Sequence, residues 1–257
     1  MIDIYKKLPG TNCGKCGVPT CTAFALKVKN NQLNIGGCPY VSEEYKDLSY
    51  VKPTIASDDN YGCVSKDLEE EAKVTNFKEA ANAIGGLYKT RNGSEIIRIK
   101  MINKFYEMRR EGLFEGNEYC QDSWAKIIIC DYIRRKGRKP LTGEWVTLGH
   151  FPNTASHVKA FQSSAERKIA ENFNKDFDSL KLCCQELGGF EDQGRMKADY
   201  ICRFDILPRI PLYLCFWKAD EEFDTSCKLF LDSNAEAYID IEYLAYLVER
   251  FAEFLTK

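Results

Sequence analysis

Residues 8–40 read LPGTNCGKCGVPTCTAFALKVKNNQLNIGGCPY, and four cysteines within them organise the whole chain: Cys13, Cys16, Cys21 and Cys38. Their spacing is C-x2-C-x4-C-x16-C, and Pro39 follows the last thiol. Three thiolates within nine residues, with a remote fourth before proline, suit a [4Fe-4S] cluster held by four cysteines. Gly10, Gly14 and Gly17 let the backbone turn sharply and approach the cluster closely. Their N–H groups, unscreened by side chains, can stabilise its negative charge. The run TAFALKV after Cys21 reads as the start of a helix, with Pro19 and Thr20 as start signals. A helix N-terminus beside an anionic cluster is electrostatically favourable. Structural zinc is the alternative, but zinc sites usually pair two short knuckles, and here Cys38 stands alone. Disulfides are the weakest reading, since nothing else in the chain looks secreted.

The chain of 257 residues has room for one large domain or two unequal ones. With 44% hydrophobic and 12% aromatic residues it can build a substantial core. A net charge of −2 argues against a nucleic-acid-binding surface, which carries a basic excess. The start MIDIYKKLPG has no apolar h-region, so no signal peptide is expected. No apolar stretch approaches the ~20 residues that span a bilayer. The expectation is a soluble, cytoplasmic protein with no membrane span. In that reducing setting twelve cysteines point to metal ligation or buried thiols, and an oxygen-sensitive cubane suits an anaerobic host.

Taken in order, residues 1–45 form a cluster module too small to build much core of its own, so metal binding should contribute to its folding. Residues 46–75 read as a connector, from the loop signals Pro53, Ser57-Asp58-Asp59-Asn60 and Gly62. A second domain over 76–257 begins with a helix that carries Phe77, Ala80, Ala81 and Ile84 and closes at Gly85-Gly86. Ile96–Met101 and Lys104–Met108 read as strands around Asn103. SWAKIIICDYIRRKG follows as a helix with Ser123 as N-cap and Gly137 as stop, and LTGEWVTLG as a short strand. The stretch from Asn153 to Gly189 is helical, with Phe161, Ala165, Ile169 and Phe173 at one-turn spacing. MKADYICRFDIL, RIPLYLCFWKAD and SCKLFLD read as antiparallel strands, with Pro208 and Pro211 at strand ends or on an edge. A C-terminal amphipathic helix presents Ile241, Leu244, Leu247, Val248, Phe251 and Leu255. Helices and strands without a βαβ rhythm give an α+β class: a small cluster module, then a larger mixed domain.

The run LPGTNCGKCGVPTCTAFALKV…CP resembles the four-cysteine [4Fe-4S] domain of the corrinoid/iron–sulfur protein large subunit, and is similar to the cluster domain of Rnf-type B subunits. The resemblance covers roughly residues 3–45. It implies a low-potential one-electron carrier that, in the corrinoid protein, re-reduces oxidised cobalt. PLTGEW, ILPRIPLYLCFWKADEEF and LFLDSNAEAYIDIEYLAYL resemble an uncharacterised domain that follows this module in anaerobes, which implies no activity.

Other candidates have ordinary explanations beside functional ones. Cys130, Cys202 and Cys215 sit in apolar runs as small hydrophobes. Cys183 and Cys184, adjacent on a helix, point about 100° apart and suit a second cluster poorly. Cys63 is the exposed thiol expected among the remaining eight. Asp220, Glu221, Glu222 and Asp224, with Asp199 and Asp205, could bind a cation or act as acid and base; a solvated turn is the plainer reading. His150 and His157 lie near a loop-to-helix junction, and the corrinoid-ligand pattern Asp-x-His-x-x-Gly is absent. Arg134, Arg135, Lys136, Arg138 and Lys139 either stabilise a helix C-terminus or dock an acidic redox partner. No phosphate-binding glycine loop is present. The composite expectation is an electron carrier more than an enzyme, delivering low-potential electrons to a protein redox partner, a corrinoid protein by resemblance. It leaves open a corrinoid bound by the chain itself, a binding module with a structural or sensing cluster, and an enzyme using the carboxylates.

Overall fold

A computed structural model describes residues 2–29, 33–42, 45, 58–137, 139–152, 154, 161–192 and 196–257. Pro53, Ser57, Arg138 and His157 lie outside the described residues. The chain divides into two compact units, Met1–Tyr61 and Gly62–Lys257.

Unit 1 contains a short helix α1 (Ile2–Tyr5), helix α2 (Cys21–Lys29) and a 3-10 turn, Ile35–Gly37. Its core is small: Ile4, Leu8, Val18, Phe24, Ala25, Val28, Ile35 and Val41, with the Cys21 and Cys38 side chains among them. The Thr20 hydroxyl accepts from Ala23 N–H at 3.1 Å, so Thr20 caps α2 as its position predicts.

Unit 2 is α+β. Helix α3 (Asp58–Lys73) enters it, and α4 (Phe77–Ile84) follows. The loop signals at Asp58, Asp59, Asn60 and Gly62 fall inside α3, so the expected loop is corrected to helix over 58–73. The reason is a tertiary contact that a local reading does not include. Glu69, 4% exposed, turns inward and accepts hydrogen bonds from Leu113 N–H at 2.7 Å and Tyr119 O–H at 2.5 Å. Lys126 Nζ lies 3.7 Å from the same carboxylate and 3.9 Å from the Tyr119 ring centroid. A Cβ on Gly112 would stand 2.7 Å from Glu69 Oε1, so only glycine leaves the carboxylate its place. Helix α4 closes as predicted: Asn76 accepts from Glu79 N–H, and Gly85 turns left-handed at φ +74°.

Sheet A is a meander in the order β1 (Leu87–Arg91), β2 (Ser94–Met101), β3 (Lys104–Arg109), β4 (Gly112–Glu115), β5 (Glu118–Tyr119), every pair antiparallel. The β2–β3 turn falls at Ile102-Asn103, with Met101 opposite Lys104. Ile102 has φ +55°, a left-handed conformation that costs a β-branched residue about 1–3 kcal/mol. It is held there by burial of its side chain and by an N–H bond to the Ile206 carbonyl at 2.8 Å.

Helix α5 (Ser123–Arg135) is capped by Asp122, which accepts from Trp124 and Ala125 N–H, and not by Ser123. A carboxylate one residue earlier reaches the same free N–H groups and adds favourable charge at the N-terminus. Sheet B runs β6 (Trp145–Val146), β10 (Ser226–Asp232), β9 (Ile210–Trp217), β8 (Tyr200–Leu207), β7 (Phe190–Glu191). The run IPLYLCFW is the central strand, which explains its near-continuous burial. Pro211, the second residue of this central strand, takes the strand-end position expected of it, opposite Asp205, where the register is bulged. Pro208 lies in the turn that joins β8 to β9.

The 161–187 stretch is helical but broken: a π-helical segment Gln162–Arg167, α6 (Lys168–Phe173) and α7 (Phe177–Glu186). Phe161, Ala165, Ile169 and Phe173 are all buried, as their spacing predicts. Helix α8 (Ile241–Leu255) buries Leu244, Leu247, Val248, Phe251 and Leu255, while Ile241 at its first turn is half-buried. Phe251 packs on Phe204 of β8 with ring centroids 4.6 Å apart, and Tyr246 packs on Trp124 of α5 at 4.0 Å. Among the described residues no helix is long and apolar enough to cross a membrane.

Replacing Glu69 by Ala leaves Lys126 buried without its anion and Leu113 N–H without an acceptor. It should lower unfolding free energy by about 3–5 kcal/mol. Glu70→Ala, at an exposed pair with Lys73, should cost under about 1 kcal/mol. Urea titrations of both variants check the contrast, and equal midpoints would contradict it.

Candidate metal centre

The loop bearing Cys13 and Cys16 is built from left-handed residues. Gly10, Asn12, Gly14 and Gly17 have φ of +69°, +50°, +71° and +78°. Asn12 is the non-glycine residue among them, and asparagine tolerates this conformation because its short amide bonds locally. Its Oδ1 accepts from Cys21 N–H at 2.8 Å, tying the loop to the first residue of α2. Gly17 N–H closes back on the Gly14 carbonyl at 2.9 Å around Cys16. Open space lies where side chains on Gly14 and Gly17 would project, so the backbone there is uncovered.

The fourth thiol, Cys38, follows the 3-10 turn Ile35–Gly37. Asn34 accepts from Gly36 N–H, and the turn ends with Cys38 N–H on the Ile35 carbonyl at 3.1 Å. Lys15, between the first two cysteines, donates to the Tyr40 hydroxyl at 2.7 Å and lies over its ring. The two cysteine-bearing segments are thus latched together. Sequence reasoning passed over Asn12 and the Lys15–Tyr40 latch. An asparagine within a glycine-rich turn was the available signal for the first, whereas the second depends on the fold.

All four thiols are free; Cys13 is exposed, Cys16 half-buried, and Cys21 and Cys38 buried. A backbone N–H at Lys15 and the Thr11 hydroxyl hold the Cys13 thiol below its ordinary pKa, favouring the thiolate that metals bind. Cys16 Sγ rests 3.8 Å from the Val18 carbonyl oxygen, a weak bond that ligation would replace. Among the described residues no three His, Cys, Asp or Glu side chains converge on one ion. A cubane carries its thiolates on separate irons, so its ligands need not meet at a point. Four free thiols, uncovered glycine backbone and a capped helix start fit an iron–sulfur group.

The other candidates do not assemble. Asp220 accepts from Glu222 and Phe223 N–H at 2.8 Å each and caps its own turn. Asp199 accepts from Lys218 N–H at 2.7 Å, and Asp205 pairs with Arg203. The carboxylates are thus used separately. His150 is exposed on a 3-10 turn. Three members of the basic run are engaged internally: Arg134 with Asp131 and Glu71, Arg135 with Asp131 and Asp240, Lys136 with Glu79. Those partners offset the charge of these three side chains. Cys63 is exposed as expected, though on helix α3. Burial pushes the Cys130 and Cys227 thiols up and Cys215 up to about 11, which keeps them protonated and inert. Cys184, hydrogen-bonded to Cys202 and buried, is likewise raised.

In the reduced, metal-free chain, iodoacetamide should alkylate Cys13 with a half-maximal rate at lower pH than for N-acetylcysteine. A lowered pKa means that thiolate persists further into acid. Thr11→Val should move the profile back upward, as followed by peptide mass spectrometry, and identical profiles would contradict the hydrogen bonding described.

The family described as "Domain of unknown function (DUF3786)" matches residues 76–254, and the one described as "Putative Fe-S cluster" matches residues 8–40. The corrinoid/iron-sulfur protein large subunit of Moorella thermoacetica is 50% identical over 42 residues, 16% of this chain and 9% of that protein. The acetyl-CoA decarbonylase/synthase complex subunit gamma of Methanocaldococcus jannaschii is 51% identical over 41 residues, 16% and 8% of the two chains. The gamma 1 subunit of Methanosarcina thermophila is 47% identical over 45 residues, 18% and 10%. The matched stretch is thus about a tenth or less of each of these relatives. No solved structure matches the chain.

Proposed function

The chain belongs to the DUF3786 family, whose description assigns no activity, and from its N-terminal unit we propose that it is an iron–sulfur electron-transfer protein of anaerobic metabolism. In this reading Cys13, Cys16, Cys21 and Cys38 hold a [4Fe-4S] cluster, which when bound supplies one-electron transfer. The observation that carries it is four free thiols on a segment with left-handed glycine backbone and a capped helix start. Asn12 and the Lys15–Tyr40 latch hold the ligand-bearing segments in register. The loop N–H groups would offset the negative charge of such a cluster. Exposed Cys13 is the ligand a partner would reach, while Cys21 and Cys38 are buried in the core of unit 1. The partner is a protein and, following the printed name of the Moorella thermoacetica relative, a corrinoid protein. A cytoplasmic location accords with reduced thiols throughout.

The full chain, purified without air, should be brown, contain iron and sulfide, and bleach on reduction. Alanine at any of the four cysteines should remove most of that absorbance; Cys63→Ser should leave it intact. A colourless, iron-free protein carrying zinc at these positions would overturn the reading. Mixing the reduced protein with an oxidised corrinoid protein tests the partner separately: absence of exchange removes the corrinoid and leaves the cluster.

A further inference from the structure

A second candidate site lies in unit 2, where the edge of sheet B is left open. Strand β7 pairs with β8 only at Cys202 and Arg203. Ile206 gives its carbonyl to Ile102 N–H of the β2–β3 turn. Between these contacts no strand lies beside Phe204 and Asp205 among the described residues. The Ile201 carbonyl points outward to Asp192 N–H, and by strand alternation Asp205 presents its backbone to that same edge.

The opening is a cleft of about 340 Å³, within the range of small-molecule sites. Buried Ile102, Leu187, Phe204, Ile206 and Phe251 form its apolar floor. At the rim the Asp205 carboxylate is neutralised by Arg203 at 3.0 Å. Lys100, also at the rim, is exposed and has no ion pair among the described residues. Its Nζ is 3.5 Å from where a Cβ on Gly188 would stand, so glycine leaves it room. The strained turn residue Ile102 forms one wall, and strain of this kind clusters at ligand clamps.

We propose that this cleft binds a small carboxylate with an apolar body, its anion on Lys100 and the Asp205 backbone and its body over Phe204, Ile206 and Phe251. An added peptide strand fits less well: the open edge spans two residues, roughly 7 Å at about 3.3 Å each, too short for a ladder of main-chain bonds. The proposal is independent of the cluster.

Isothermal titration of the full chain with 3-phenylpropionate tests it, against the neutral 3-phenylpropan-1-ol and against propionate, which lacks the body. The acid should bind saturably and at least about tenfold more tightly than either control. Lys100→Gln should weaken it about tenfold without changing the melting temperature, and Lys100→Arg should retain binding. Absence of binding at millimolar acid, equal affinity for acid and alcohol, unchanged affinity in Lys100→Gln, or tighter binding of an extended peptide would each overturn the proposal.

Discussion

A carboxylate removed from water must be given donors, and in unit 2 that requirement joins segments far apart in the chain. Asp131 is fully buried on α5, accepts from Arg134 and Arg135 on its own helix, and takes Asp240 N–H at 2.7 Å from 109 residues away. Asp240 in turn caps α8 and accepts from Arg135. Asp232 closes the LTGE loop by accepting from Thr142, Gly143 and Asn234 N–H. Glu166, on the π-helical segment, takes Lys228 Nζ and the otherwise open Leu229 N–H at the edge of β10. With Glu69, these groups act less as sources of net stability than as selectors of one arrangement, because a displaced partner leaves a charge buried alone.

The N-terminal unit works on a different principle. It buries few side chains, and its shape rests on backbone conformation: three left-handed glycines, a left-handed asparagine and two short capped turns. A compact, polar-backbone loop of this kind suits an anionic inorganic group, which hydrophobic packing alone would not hold. It also explains how so short a stretch can be shared with proteins many times its length, since the requirements of the loop are local.

The legible parts of the fold were those governed by nearby residues. Phe77 to Ile84, with Gly85 after them, announced a helix and its end. Ile96–Met101 and Lys104–Met108 announced a hairpin, and IPLYLCFW a buried strand. Errors arose where distant groups prevailed. Asp58 to Gly62 looked like a loop but continue into a helix whose Glu69 is held by Leu113 and Tyr119. Pro211 falls at a strand end as expected, but the strand is central, and a bulge opposite it accommodates the missing donor. Of the basic run, Arg134, Arg135 and Lys136 meet acidic side chains on α3, α4, α5 and the cap of α8, contacts that no local pattern announces.

By itself the sequence determined the four-thiol spacing, the glycine turns around it and the alternation of helical and strand periods, because each depends on residues only a few positions apart. Tertiary structure alone decided that Lys100, Ile102, Gly188, Phe204 and Phe251 border one cleft. It also decided that Ile102 takes a conformation its side chain disfavours. No local pattern encodes a gap in a sheet edge. The gap exists because β7 is short, β8 bulges, and the turn of another sheet reaches across to finish the hydrogen bonding.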